Sequence, residues 1–541
     1  MVAEAIALPA TVCLLVHHAN RNPSKTMLKP LPSSRWNYST AAHLLNRAGF
    51  GGTPAEIEKL VEMGPAKAVD YFVDFDKIPE DYPRPLWADP DPSQYEQFTA
   101  MRRKQLEARR DARDLPEKER EELMERLERE ARRERQQVRR SQIQKINELR
   151  GWWIRRMAIT PRPLQEKLTL FWHGHFATSA QKVRDPYFMW LQNDTFRSNA
   201  LGDWQTMLED VTKDPAMLFW LDQAQSNRRK PNENYAREVM ELFALGEGNY
   251  SERDILEAAR GLTGLTIDRA KQEPVYRSAL HDPGTKTLLG KTGRHNPSDV
   301  VKIIANHPKS APFIVTKLWS FFANENVKPE VVDALTAEFL KSGGNFRAFL
   351  RTMFRCEEFY AKENLRTQIK SPVQWLIGSA RMLEVEVPPG EVASRMLASL
   401  GQDLLAPPNV KGWDGGTAWI STNTLMSRYN LAGFLVSGKA DAQGLVPQRF
   451  PDNARMMMQQ RMDQMIRTIK ALDVEKLIDR KDLGNHAKLV ATLEKRLLQD
   501  KLKEQQRGSL SDFLKGKKEL DRDDVLQLVR LIMSTPQYQL T

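Results

Sequence analysis

His173 and His175 stand two residues apart within the aromatic hexapeptide Phe171-Trp172-His173-Gly174-His175-Phe176. Imidazole nitrogen is the commonest protein ligand for zinc and serves iron and manganese as well, so the pair points to metal chemistry. On a helix, positions i and i+2 lie about 200° apart, and both rings converge on one ion only if the backbone leaves helical geometry at Gly174. A carboxylate would complete the set. In Asn232 to Leu245, helical spacing gathers Tyr235, Val239, Leu242 and Phe243 into an apolar stripe. Asn234, Glu238 and Glu241 run along its border at i, i+4 and i+7. The expectation is therefore a divalent metal held by His173, His175 and Glu238, with a fourth position open for water. Glu241 would act as general base on that water and Asn234 would contact the substrate, the arrangement of a metal-dependent hydrolase. The plainer alternative leaves the histidines as core residues bonded to backbone and Glu238 ion-paired with Arg237. The spacing lacks the tightness of His-Glu-x-x-His.

A second candidate surface lies in Pro407-Pro408-Asn409-Val410-Lys411-Gly412-Trp413, followed by Trp419, Asn423 and Arg428. Aromatic faces beside amide and guanidinium donors suit sugars or other planar ligands, so Trp413 and Trp419 are read as substrate-binding. Otherwise the two indoles pin a glycine-rich loop to the core. His281, before Asp282-Pro283-Gly284, and His307, before Pro308, suit turn or cap roles as well as chemistry. No Walker loop, GxGxxG or GxSxG element occurs, which removes support for nucleotide binding and the commonest serine hydrolases.

These residues need helices to position them. Apolar residues recur at helical spacing almost throughout and strand signals are sparse, so the fold class is mainly α, a multi-helical globular body. Ser39 to Asp74 reads as two helices about the turn Gly49 to Gly52, with Thr53 and Glu56 forming a capping box and Pro54 at the first helical position. Residues 94–150 read as a charged helical hairpin insertion broken at Pro116. Between Met101 and Arg150 there are 17 Lys/Arg against 12 Asp/Glu, with signs that mostly alternate, the pattern of a solvated helix pair laced by i,i+4 pairs. Thr266 to Gly293 reads as irregular, with room for a small hairpin. Residues 39–437 form the body on this reading, 1–38 a leader and tether, and 438–541 a helical C-terminal appendage.

The chain has 541 residues, 41% of them hydrophobic, enough for a substantial core. Its formal charge of +11 would suit a polyanion, but with 28% charged residues most cations have acidic neighbours, and nucleic acid is not the favoured partner. Cys13 and Cys356 are too few for a disulfide framework or a thiolate cluster. No apolar run reaches the roughly 18 residues that span a bilayer. Ala5 to Val16 lacks the basic flank of a secretory signal, which leaves the compartment open.

His43-Leu44-Leu45-Asn46-Arg47-Ala48-Gly49-Phe50-Gly51, the block Phe171 to Phe176, Asn232 to Gly246, His281-Asp282-Pro283-Gly284, His307-Pro308 and Pro407 to Trp419 resemble, in this order, the bacterial family called domain of unknown function 1800. The resemblance covers about Ser39 to Gly433. It implies a mostly helical bacterial protein whose relatives are often exported and encoded beside a second family, numbered 1501, that looks related to sulfatases and phosphatases and is a candidate protein partner. It implies no reaction. Two functional readings follow from the residues: a metal-dependent hydrolase or metal-binding protein acting on an envelope or polymeric substrate, and a non-enzymatic assembly or accessory protein working through partner binding.

Overall fold

Helix start signals do much of the visible work in this chain. Asn37 caps Tyr38–Ala48 through a capping box closed by Thr40. Thr53 and Glu56 form the expected box at the start of Pro54–Val73, with Thr53 N–H donating to Glu56 Oε2 at 2.7 Å. Ser251 and Asp254 do the same for Glu252–Leu262. Each box satisfies amides that have no partner inside the helix. The computed structural model describes residues 28–439, 451–517 and 520–541, and among them it holds 22 α-helices and two short antiparallel hairpins. The fold is mainly α, as the periodicity predicts. The hairpins, Leu265–Asp268 with Glu273–Tyr276 and Lys286–Leu288 with Lys291–Gly293, fall in the segment read as irregular. The leader stretch Ala5 to Val16 lies outside the described residues. Residues 28–38 pack on the body: Leu31 N–H donates to the Arg355 carbonyl at 2.7 Å, and the Trp36 indole donates to the Leu60 carbonyl.

Two hydrophobic cores organise the molecule. One gathers Trp172, Phe176, Trp204, Phe243 and Phe346. The other gathers Trp153, Trp375, Met396 and Leu435 with Leu489, Leu493, Val525 and Val529. The last four come from His486–Leu497 and Arg522–Met533, so helices after residue 437 share a core with helices of the body. The terminal turn joins in too, since Tyr538 Oη meets Ser379 Oγ at 2.6 Å.

The charged hairpin is present, with its break at Pro116 between Ser93–Asp111 and Glu117–Ile159. Two i,i+4 pairs, Arg103 with Glu107 and Arg129 with Glu125, decorate it, and Lys104 reaches Glu130 at 3.4 Å across the two helices. The second helix runs on without interruption into the body, where Leu149, Trp153, Ile154 and Met157 are buried. At 43 residues it is about 65 Å long by the helical rise, so one rigid rod links the exposed tip to the core. Gly151 lets this rod cross Gly390 at backbone contact: a Cβ built on Gly390 would lie 2.4 Å from the Gly151 Cα. Among the described residues no helix is long and apolar enough to cross a membrane.

Candidate functional site

The helix Pro163–His175 carries the histidine motif, and it does not break at Gly174. The imidazoles therefore point to different sides, as i and i+2 must on a continuous helix. Burial pushes both down to about 3, so both are neutral, with Arg197 adding to the effect at His173 and Lys317 at His175. His173 sits against Trp153 and Phe196 and bonds Asn193 Nδ2 at 2.9 Å through Nε2. Behind it runs a buried polar chain. Arg197 donates to Asn193 Oδ1 at 2.6 Å and to Glu166 at 2.7 Å, and Glu166 also accepts from Trp153 and Arg156. Burial alone would raise the Glu166 carboxyl, but the guanidiniums of Arg197 and Arg156 outweigh it and hold it below its ordinary value. This network escaped the sequence reading because an isolated Glu within an apolar helix carries no spacing signal.

His175 has another task. Its Nε2 donates to the Phe243 carbonyl at 2.9 Å, at the C-terminal end of the 233–244 helical segment. Terminal carbonyls lack intrahelical partners, and a side-chain N–H is a common cap for them. That segment departs from the expected single α-helix: Glu233–Glu238 is α-helical but Val239–Ala244 is a π-helix. The wider π turn disturbs the i, i+4, i+7 border on which Asn234, Glu238 and Glu241 were aligned. Asn234 is exposed at the first turn, its N–H bonded to Asn232 Oδ1. Glu241 accepts from Tyr250 Oη at 2.7 Å. Glu238 is half-buried, raised by desolvation and then by Glu241; Arg237 instead grips Glu252 with two bonds of 2.8 and 2.9 Å.

The expected convergence of His173, His175 and Glu238 is thus corrected by the geometry. Among the described residues no group of three or more His, Cys, Asp or Glu side chains is arranged to hold a metal ion. The physical reason is that Gly174 does not serve as a hinge. It supplies close approach, because a Cβ on Gly412, whose φ is +94°, would lie 2.2 Å from the Gly174 carbonyl oxygen. His281 and His307 take the turn roles, bonding respectively to Thr263 and to the Lys309 N–H.

What the motifs do share is a cavity of about 270 Å³. His175, Phe171 and Lys167 line it from the Pro163–His175 helix, Leu242 from the π-helix, and Trp413 and Trp419 from the 407–419 loop. Trp419 is buried and Trp413 half-buried, so part of the loop pins to the core while the other indole stays accessible. The Arg47 and Phe50 block supports its lining from behind. Phe50 presents its ring 5.0 Å from Lys167 Nζ, and Arg47 bonds Gln368, which lines the cavity. Lys167 is buried, hydrogen-bonded to Gln374 Oε1, with no carboxylate in reach, and burial followed by Arg47 pushes it down to about 7. Larger clefts of about 1190 Å³ and 630 Å³ lie along 486–517 and between 427–439 and 523–530, and none of the residues singled out by spacing lines them.

No curated protein and no solved structure matches the chain. A family model described as "Protein of unknown function (DUF1800)" matches residues 43–540, past the residues that carried the resemblance and through the C-terminal helices that complete the second core. From the His43 block at one end to the terminal turn at the other, the chain therefore belongs to the DUF1800 family.

Proposed function

We propose that this chain is a ligand-binding protein whose site is the cavity between the Pro163–His175 helix and the Pro407–Trp419 loop, with Trp413 as the accessible stacking face and Trp419 as its anchor. The observation that carries this reading is the meeting of three separated motif blocks, through His175, Leu242 and Trp413, around one volume. Concave sites with aromatic walls and a few fixed polar groups are the common form of small-molecule pockets. His175 contributes by holding the π-helix in place, which puts Leu242 in the wall. Lys317, Lys411 and Asp414 are exposed at the rim, so the cavity is open there to a group carried on a larger molecule, in keeping with a polymeric or envelope-derived ligand. Saturation-transfer NMR with monosaccharides and small aromatic acids tests the reading. Binding that disappears in Trp413→Ala supports it; an empty panel, or binding unaffected by Trp413→Ala, overturns it.

A second reading, partner binding through the charged hairpin, is favoured by one observation. In residues 131–145 of the long helix, Arg132, Arg133, Arg135, Arg139, Arg140 and Lys145 face only Glu134 in charge, and all five arginines are exposed. Because Ile146 and Leu149 are core residues, the informative variant replaces the exposed Arg132, Arg133, Arg135, Arg139 and Arg140 with glutamine and leaves the rod intact. Loss of partner capture by a folded variant supports this reading; unchanged capture removes it.

A further inference from the structure

Resting on the cavity reading, we propose that the site takes a ligand bearing a carboxylate, which Lys167 and Gln374 receive at the buried end while the flat body of the ligand lies against Trp413. Lys167 is an amine taken out of water without a counter-ion: its nearest partners are the Gln374 amide and the rings of Phe50 and Phe321, 5.0 and 5.8 Å from Nζ. A buried cation ordinarily has an anionic partner, and an ammonium without one is costly to keep charged. Gln374 adds a second opening. An ammonium can only donate, so the amide oxygen must face Lys167, and Gln374 Nε2 is left buried with no acceptor in the protein. Both side chains line the same cavity. Gln374 also sits in the first turn of Pro372–Leu383, where the amide end of the helix favours negative charge.

Charge around the cavity agrees. The Pro163–His175 helix brings Lys167 and neutral His175, and the Ser310–Phe322 helix brings Lys317. The 407–419 loop brings Lys411 and Asp414, which pair with one another at 3.7 Å, and Glu325 lies on the exposed side. Arg47 stands behind Gln368 without a carboxylate of its own. The side chains at the buried end are therefore basic and the acidic side chains are at the rim, while the buried main chain of Thr541, which accepts from the Gln368 N–H at 3.3 Å, also lines the cavity. A carboxylate offers two oxygens, one for Nζ and one for the Gln374 amide, and charge-assisted bonds of that kind are short and strong.

The test compares acids with their neutral amides on the full chain: glucuronate against glucuronamide, and benzoate against benzamide, titrated by calorimetry at about pH 6 and about pH 8.5. At the lower pH the acids should bind at least about ten-fold tighter than the amides, as expected for a charge-assisted contact. The preference should shrink at the higher pH as Lys167 loses its proton. Lys167→Gln should erase the acid preference, whereas Trp413→Ala should weaken acid and amide alike. Equal affinity for acid and amide in the unaltered protein, or a preference that survives Lys167→Gln, overturns the carboxylate assignment and leaves the cavity reading standing. Binding by neither member of any pair overturns both.

Discussion

Gly412 packs so tightly on the Gly174 carbonyl that a Cβ at position 412 would sit 2.2 Å from that oxygen, whereas a Cβ at Gly174 would meet only Trp413 Cε3 at 3.8 Å. The two glycines of one contact thus carry unequal constraints. Gly412→Ala combines a clash with backbone and a left-handed φ of +94°, and should cost about 2–4 kcal/mol in denaturant unfolding. Gly174→Ala, inside a continuous helix, should stay within about 1 kcal/mol of the unaltered protein. A severe loss at Gly174 instead would restore the hinge that the histidine spacing suggested.

The two histidines should make the fold acid-sensitive. Each titrates near 6.5 when unfolded and about 3 when folded, so between those values the unfolded chain binds more protons. Their contribution is complete above about pH 6.5 and is lost as pH falls toward 3. From pH 6.5 to 5 the loss is roughly 1.5 kcal/mol per histidine. His173→Gln, which does not titrate and can still accept from Asn193, should reduce the slope of stability against pH over that range; an unchanged slope would show His173 to be solvated and free to protonate.

Glu166 and Glu238 should separate cleanly on removal of charge. Glu166→Gln leaves Arg156 and Arg197 buried without a counter-ion, and a loss of about 3–5 kcal/mol is expected. Glu238→Gln, at a half-buried position next to Glu241, should change stability by less than about 1 kcal/mol. Calorimetric or chemical unfolding of the two variants decides the point. A larger effect at Glu238 would mean that it holds a partner not visible in its present surroundings.

Gly151 and Gly390 make the second close crossing. Alanine at either position drives a Cβ to within 2.7 Å or less of the opposite Cα, so each substitution should cost about 1–3 kcal/mol. Since Gly151 lies on the rod that carries the charged hairpin, either change should also loosen hydrogen-exchange protection from Ile146 to Met157. Protection confined to its normal level in both variants would argue that the rod and the body are held by other contacts.

Much of the architecture was legible because local chemistry dictates it. Thr53 with Glu56 and Ser251 with Asp254 announce helix starts through bonds made within four residues, and Pro116 ends a helix wherever it stands. The block Phe171 to Phe176 drew attention to the right helix. Its misreading came at Gly174, because a glycine that allows a bend and a glycine that allows close approach look identical in one dimension. Only the position of Gly412, more than 230 residues onward, tells them apart.

The sequence by itself determined the helical class, the hairpin break and the residues worth watching, since periodicity, capping and proline chemistry act over a few positions. Tertiary structure alone decided their use. It sent His173 to Asn193, His175 to the Phe243 carbonyl and Glu241 to Tyr250, and it turned an unremarked lysine in the same helix into the buried end of a cavity. The reason is that a side chain's protonation and partners are set by which distant surfaces exclude water from it, and that is a property of packing rather than of spacing.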